Sequence, residues 1–350
     1  MVFVVANKQV KYWFCWFSTV PETARLAILL PLASAAISFA LIRWMLGTER
    51  FAVPLDTPNE RSLHAAPVPR TGGVGIVAGA LLSLFALGWE PVLATCALAL
   101  AVVSFMDDRK GLPIGARFAA HALAAAIFVL TSLVTSSLVM AAALIVATMW
   151  MTNLYNFMDG SDGLAGGMAA IGFGTYAAGA GLVGQAPLAT ASGCIAAAAL
   201  AFLWFNFHPA RIFMGDVGSV PLGFLAAALG LAGWRDGAWP FWFPVLVFSP
   251  FIVDASATLA RRTLRGERFW RAHRSHYYQR LVQMGWGHAG TARAEYSVMI
   301  ACAAAALWAQ GRPRTMQVTT LAVAALAYAG VAIIIDRAWA RRSHEASACR

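Results

Sequence analysis

The sequence predicts an all-α fold: a polytopic bundle of about eleven transmembrane helices, with ten as the lower count. Three observations carry this. The 350 residues are 60% hydrophobic and only 12% charged, whereas a soluble domain carries about 25% charged residues. Apolar runs of roughly 17–22 residues recur along the whole length, long enough to cross a bilayer as helices. The basic residues also divide unevenly between alternate loops, twenty on one side against six on the other, as the positive-inside rule requires of a membrane chain.

Taken in order, the apolar runs place helices at about 24–46, 72–89, 91–106, 117–133, 137–153, 164–184, 188–205, 218–234, 239–260, 293–310 and 316–336. Residues 1–23 read as an N-terminal extension, since MVFVVANKQVKYWFCWFSTV has two lysines but no small-residue cleavage site. Residues 24–337 form the membrane-embedded domain and 338–350 a tail. Alanine and glycine fill the helices, and small residues let helix backbones approach closely. The segments 153–162 and 206–217 are too polar for spans and read as re-entrant or interfacial. The five cysteines are scattered, with no CxxC pair, so neither a disulfide framework nor a zinc site is expected.

The loops following the first, third, fifth, seventh and ninth runs, with the C-terminal tail, hold the basic excess. This puts them in the cytoplasm and the N-terminus outside, with membrane lipids around the spans. The net charge of +10 is then a topology signal, and no nucleic-acid partner is expected. The acids sort with the arginines. Asp107, Asp108, Asp159, Asp162 and Asp216 all fall at cytoplasmic helix ends, and Asp254 about two turns deeper.

Five segments carry chemistry. SFMDDRKGLP sets Asp107 and Asp108 at a helix C-terminus, where the helix dipole disfavours negative charge, so a divalent cation or a proton is the expected reason for them. NLYNFMDGSDGLAGG spaces Asn153, Asn156, Asp159 and Asp162 three apart, which gives a drifting polar stripe on a helix or an eclipsed row in a 3₁₀ turn. Its glycines allow a break, and Asp162 alone has a plain alternative role as the N-cap of the next helix. FHPARIFMGDVGS opens a helix with glycines and Asp216, a combination suited to a metal bridging to phosphate; an N-cap is again the plainer alternative. The loops NERSLHAAPVPRTGG and RRTLRGERFWRAHRSHYYQRL supply Arg70, Arg274 and His276 as candidate contacts for an anion, although most of the second loop's arginines are accounted for by topology.

Together these motifs resemble the polyprenyl-phosphate N-acetylhexosamine-1-phosphate transferase superfamily. The PxPRxGG loop at Pro67–Gly73, the Asp-Asp pair, NxxNxxDGxDGLAGG, FxGDxGS and a basic loop with histidine occur in the family's order, over nearly the whole chain from about residue 25. The resemblance implies transfer of a sugar 1-phosphate from a UDP-N-acetylamino sugar to undecaprenyl phosphate, with release of UMP, and a need for Mg²⁺ (with Mn²⁺ as an alternative). It implies a catalytic role for Asp107 and Asp108 in lipid-phosphate activation. Nucleotide contacts fall to Asn156, Asp159 and Asp162, with Arg70, Asn153, Arg274 and His276 as further substrate-binding positions, and metal ligation to Asp216. A homodimer is an optional further partner. Where many members carry His-x-His-His, this chain has His276-Tyr277-Tyr278-Gln279. That departure points away from peptidoglycan synthesis and toward the subgroup that starts O-antigen or other surface polysaccharide with 6-deoxy-amino sugars.

Direct attack by the lipid phosphate and a covalent aspartyl-phosphate route both fit these residues. Two other classes compete. An intramembrane prenyltransferase would want two DxxxD-like clusters, and the chain offers DD, DxxD and a lone GD. A proton-coupled transporter would place its acids near the midplane, and only Asp254 lies even moderately deep.

Overall fold

The computed structural model describes residues 22–48, 55–56, 67–133, 137–267 and 273–348. Most of the proposed N-terminal extension lies outside the described residues. The described chain is a helical bundle: α1 (Glu22–Gly47), α2 (Gly72–Leu87), α3 (Pro91–Lys110), α4 (Ile114–Ser132), α5 (Leu138–Phe157), α6 (Leu164–Leu182), α7 (Ala186–Asn206), α8 (Asp216–Arg235), α9 (Trp242–Val247), α10 (Ser249–Leu264), α11 (Tyr277–Leu281), α12 (Gly287–Ala309) and α13 (Arg314–Ala348). Two short strands, β1 (Leu55–Asp56) and β2 (Val68–Pro69), pair antiparallel between α1 and α2. Among the described residues seven helices are long and apolar enough to cross a membrane.

Helix α8 is the centre, with 89% of its apolar window buried, while α13 lies at the rim with 6%. Small residues explain the central place. A Cβ on Gly223 would stand 2.8 Å from Thr152 Cα on α5, and one on Gly73 would stand 2.4 Å from Gly218 Cα. Backbones this close leave no room for side chains, and the contact is made by dispersion and shape. Around α8, Phe128, Phe173, Phe224, Phe248 and Tyr176 fill the core, none more than 1% exposed.

One predicted span differs. The run 239–260 is broken at Phe248 into α9 and α10. Pro250 lacks an N–H, and its ring cannot be accommodated against the carbonyl four residues earlier; that carbonyl, Leu246 O, is met instead by Ser249 Oγ at 2.7 Å. The short α11 and the π turn Val282–Trp286 that follows it have no counterpart in the apolar pattern, because both are built from polar loop sequence. Helix α13 continues to Ala348, through the stretch read as a tail.

The two ends of the bundle differ in character. At one, Arg235 at the end of α8 closes on Glu90 at 2.6 Å and on Ser132 O at 3.0 Å. Gln310 there bonds Gly179 O and Ala238 O. This end is held by contacts within the bundle. At the other, the ends of α3 and α5 and the starts of α2, α4 and α8 bring carboxylates together.

Candidate active site

The site begins with backbone. Phe213 N–H donates to Pro69 O at 2.7 Å, and Gly72 N–H and Gly73 N–H donate to Phe213 O and Met214 O, both at 2.9 Å. The segment ahead of α2 is thereby zipped to the segment ahead of α8. Gly215 sits at the crossing with φ 72°, and a Cβ there would lie 2.3 Å from Arg70 O. Only glycine meets both the left-handed backbone and the missing space. The result is that Arg70, just before α2, projects over Asp216 at the start of α8.

Arg70 Nη2 lies 2.8 Å from Asp108 Oδ1 and 3.3 Å from Asp216 Oδ1. Asp216 Oδ1 also accepts from Asn156 Nδ2 at 3.0 Å, and the same amide reaches Ser219 Oγ at 2.8 Å. Arg117, from the first turn of α4, pairs with Asp107 at 2.9 Å and faces Asp216 at 3.8 Å. Asp107's other oxygen takes the Leu112 N–H at 2.6 Å. Asp108 accepts from Val217 N–H at 3.4 Å. It stands at the C-terminus of its own helix and at the N-terminus of α8, where a negative charge is favourable.

Five carboxylates share this region, because Asp159, at the break after α5, feels Asp216, Arg70, Asp108 and Asp56 of β1. Burial, reinforced by the Asp216 charge, raises Asp159 well above the usual carboxylate range. Burial works against the charge of Arg70, but Asp108 and then Asp216 outweigh it and hold its pKa above the ordinary value. Two guanidiniums thus face five carboxylates. Such a surplus of hard oxygen ligands suits Mg²⁺, which binds through one or two carboxylates and completes its shell with water and phosphate. Among the described residues no three His, Cys, Asp or Glu side chains are grouped closely enough to hold an ion by themselves.

The remaining candidates are placed elsewhere. Asn153 lies one turn before Asn156, donates to Met149 O at 2.8 Å and meets the His121 side chain. Asp162 does not cap α6, whose N-cap is Gly163. Its carboxylate turns to His208 Nδ1 at 2.6 Å and Ala210 N–H at 3.2 Å. His276 is buried against Asp254, which also accepts from Tyr277 N–H at 2.9 Å and Tyr278 N–H at 3.0 Å. Its helix, α11, reaches the Asp159 loop through Tyr278, whose hydroxyl donates to Phe157 O at 3.3 Å. Gln279 completes a capping box with His276, so the residues in the place of the missing histidines organise α11. The Arg274 side chain is exposed, and only its carbonyl is engaged, by Gln283.

Sequence reasoning missed Arg117, counted only as loop charge, and the histidines His208 and His288. His208 stood inside FHPARIFMGDVGS, the same motif as Asp216, the residue that drew attention. His288 has no local signal, since only the fold brings it to Asp162.

The chain is similar to several known proteins. A family model described as glycosyl transferase family 4 matches residues 91–233, the stretch from α3 to α8. A probable undecaprenyl-phosphate N-acetylglucosaminyl 1-phosphate transferase of Bacillus subtilis (strain 168) is 31% identical over 254 residues, 67% of this chain and 71% of that protein. A decaprenyl-phosphate N-acetylglucosaminephosphotransferase of Mycobacterium tuberculosis (strain CDC 1551 / Oshkosh) is 31% identical over 281 residues, 66% and 69% of the two chains. A phospho-N-acetylmuramoyl-pentapeptide-transferase of Shouchella clausii (strain KSM-K16) is 28% identical over 300 residues, 75% and 90%. With the Asp107–Asp108 pair, the Asn156–Asp159 loop and Asp216 assembled at one end of a helical bundle, the chain belongs to glycosyl transferase family 4, the polyprenyl-phosphate N-acetylhexosamine-1-phosphate transferases.

Proposed function

We propose that the protein transfers an N-acetylamino-sugar 1-phosphate from a UDP-sugar to undecaprenyl phosphate, releasing UMP and forming an undecaprenyl-diphospho-sugar. The observation that carries this reading is the convergence of Arg70, Arg117, Asp108 and Asp216 at one end of the apolar helices α3 and α8. Two anionic substrates need neutralisation there, one arriving from the bilayer and one from water. We place the site on the cytoplasmic face of a bacterial inner membrane, following the arginine bias.

The chemistry is phosphoryl transfer, in which positioning and electrostatics do most of the work. An oxygen of the lipid phosphate attacks the β-phosphorus of the donor, a new O–P bond forms, and the bond to the α-phosphate oxygen breaks with its electron pair leaving on UMP. Arg117, oriented by Asp107, and Arg70, oriented by Asp108, neutralise the phosphates on either side. The lipid phosphate needs little deprotonation, since its second pKa lies near 6, so Asp107 serves mainly to hold Arg117. Asp216 and Asp108 would hold Mg²⁺, which when bound supplies further charge neutralisation on the diphosphate.

The departure from His-x-His-His favours the first step of O-antigen or another surface polysaccharide. The test is a donor panel with undecaprenyl phosphate as acceptor: UDP-GlcNAc, UDP-QuiNAc, UDP-FucNAc and the UDP-N-acetylmuramoyl pentapeptide. Turnover of one of the first three supports the reading. Turnover of the pentapeptide donor alone assigns the protein to peptidoglycan synthesis instead.

A further inference from the structure

Helix α13 lies at the rim, yet one stretch near its end is docked. Ala332, Ile335, Asp336 and Trp339 fall at the i, i+3, i+4 and i+7 positions of a single helical stripe. Ile335 is buried with Tyr277 and Leu281 of α11, and Ala332 packs on the same group. Asp336 supplies the polar half of the contact. Its two oxygens stand 2.6 Å from Nη1 and Nη2 of Arg261, on α10, and Oδ1 also lies 2.9 Å from Nη1 of Arg280, on α11. Both guanidiniums lie over the Tyr277 ring, 4.9 and 5.4 Å from its centroid, and Arg280 reaches the Trp339 ring at 5.7 Å. One carboxylate of α13 therefore gathers α10 and α11.

What Asp336 holds is tied to the anionic cluster. Arg280 Nε donates to Ser275 O at 2.9 Å, so the guanidinium that meets Asp336 also fixes the chain between Arg274 and His276. Tyr278, on the same short helix, donates its hydroxyl to Phe157 O at 3.3 Å and fills the space that a Cβ on Gly160 would need. Phe157 and Gly160 bracket Asp159. The path from α13 to the site thus runs through Asp336, Arg280, the α11 backbone, Tyr278 and the Asp159 loop. A helix of five residues has too few internal bonds to hold its own direction. A part-exposed ion pair adds little to stability, but a guanidinium held by both oxygens of a carboxylate has a set orientation.

We propose that Asp336 is a positioning residue for donor binding: through Arg261 and Arg280 it sets the angle at which α11 holds Tyr278 against the Asp159 loop. This rests on the UDP-sugar reading above. It gives α13, which lies outside the stretch 91–233 matched by the family model, a part in the reaction without contact to either substrate.

The experiment measures kcat and KM for the UDP-sugar and for undecaprenyl phosphate with the full-length protein, together with amide hydrogen exchange over α11 and over residues 157–162. Asp336→Asn keeps the shape and loses the charge. It should raise KM for the UDP-sugar about three- to tenfold, the scale of one hydrogen bond, with kcat within about twofold and KM for undecaprenyl phosphate unchanged. Exchange should quicken in both segments. Asp336→Glu should recover part of the KM. Arg280→Lys should resemble Asp336→Asn, because one ammonium cannot serve Asp336 and Ser275 O in the guanidinium's geometry. Arg337→Gln, an exposed charge on the same turn, should change neither KM nor exchange. A lower melting temperature with KM for the UDP-sugar unchanged, in both Asp336→Asn and Arg280→Lys, would overturn the proposal. So would unchanged exchange over 157–162. A wild type that consumes no UDP-sugar would instead refute the functional reading, and exchange would still decide whether Asp336 controls the Asp159 loop.

Discussion

Arg70 and Asp216, 146 residues apart in the chain, meet at 3.3 Å, and the same guanidinium nitrogen stands 2.8 Å from Asp108. One cation thus joins the loop before α2, the end of α3 and the start of α8. Arg70→Ala should lower turnover about 100-fold or more, the scale for loss of a preorganised charge donor. Arg70→Lys should recover little of it, because a single ammonium cannot present the guanidinium's several directed donors to both carboxylates. Initial rates at saturating donor and acceptor check both.

Asp159 predicts a pH effect on stability in the absence of metal. Its raised pKa means that the folded protein holds a proton that the unfolded chain releases. The sign follows from linkage. The favourable contribution is complete below its ordinary value of 3.8 and is lost as pH rises through the higher folded value. Asp159→Asn removes the effect, so in Mg²⁺-free detergent the variant should melt above the wild type at neutral pH and close to it near pH 4. Thermal scans at the two pH values decide, and a variant that melts lower at neutral pH would contradict the assignment.

Gly73 packs against Gly218 with no space for a side chain. Gly73→Ala should destabilise the protein by about 1–3 kcal/mol through overpacking. Because the same crossing places Arg70 over Asp216, activity should fall more than the shift in melting temperature alone accounts for. Gly88→Ala provides a comparison for backbone strain: its φ is 66°, with nothing near its missing Cβ. It should cost stability without a specific loss of activity.

Asp254 gathers Tyr277 N–H, Tyr278 N–H, His276 Nδ1 and the Thr258 hydroxyl. Asp254→Asn would turn one acceptor into a donor facing donors, at a cost of about 1–3 kcal/mol. With α11 loosened, Tyr278 no longer braces the Asp159 loop, so KM for the UDP-sugar should rise more than kcat falls. An unchanged KM would show that α11 is only a structural prop.

The sequence made the spans and the acidic face legible, because apolar run length and arginine bias are local, additive signals. It also exposed Asp107 and Asp108 as anomalies at a helix end. The resolution of that anomaly was not local: Asp108 accepts from the Val217 N–H at the start of α8, more than a hundred residues away. Asp162 was ambiguous for a similar reason, since a short-range pattern offers an N-cap and only the fold supplies His208 and His288. His276 looked like an anion contact in a basic loop, whereas Asp254, read as an unplaced deep acid, is its partner. The break at Phe248 did have a signal, in Pro250, which the length of the apolar run obscured.

The central claim is that this carboxylate and arginine cluster carries out sugar-phosphate transfer to a lipid phosphate. It is tested most directly by measuring UMP released per lipid-linked sugar formed, with purified protein, undecaprenyl phosphate, a UDP-N-acetylamino sugar and Mg²⁺, for the wild type and for Asp107→Asn at equal folded concentration. The account predicts one UMP per lipid product in the wild type, dependent on both lipid phosphate and Mg²⁺, and a loss of about 100-fold in the variant. Near-normal turnover by Asp107→Asn, or no UMP release from any UDP-N-acetylamino sugar, would contradict it.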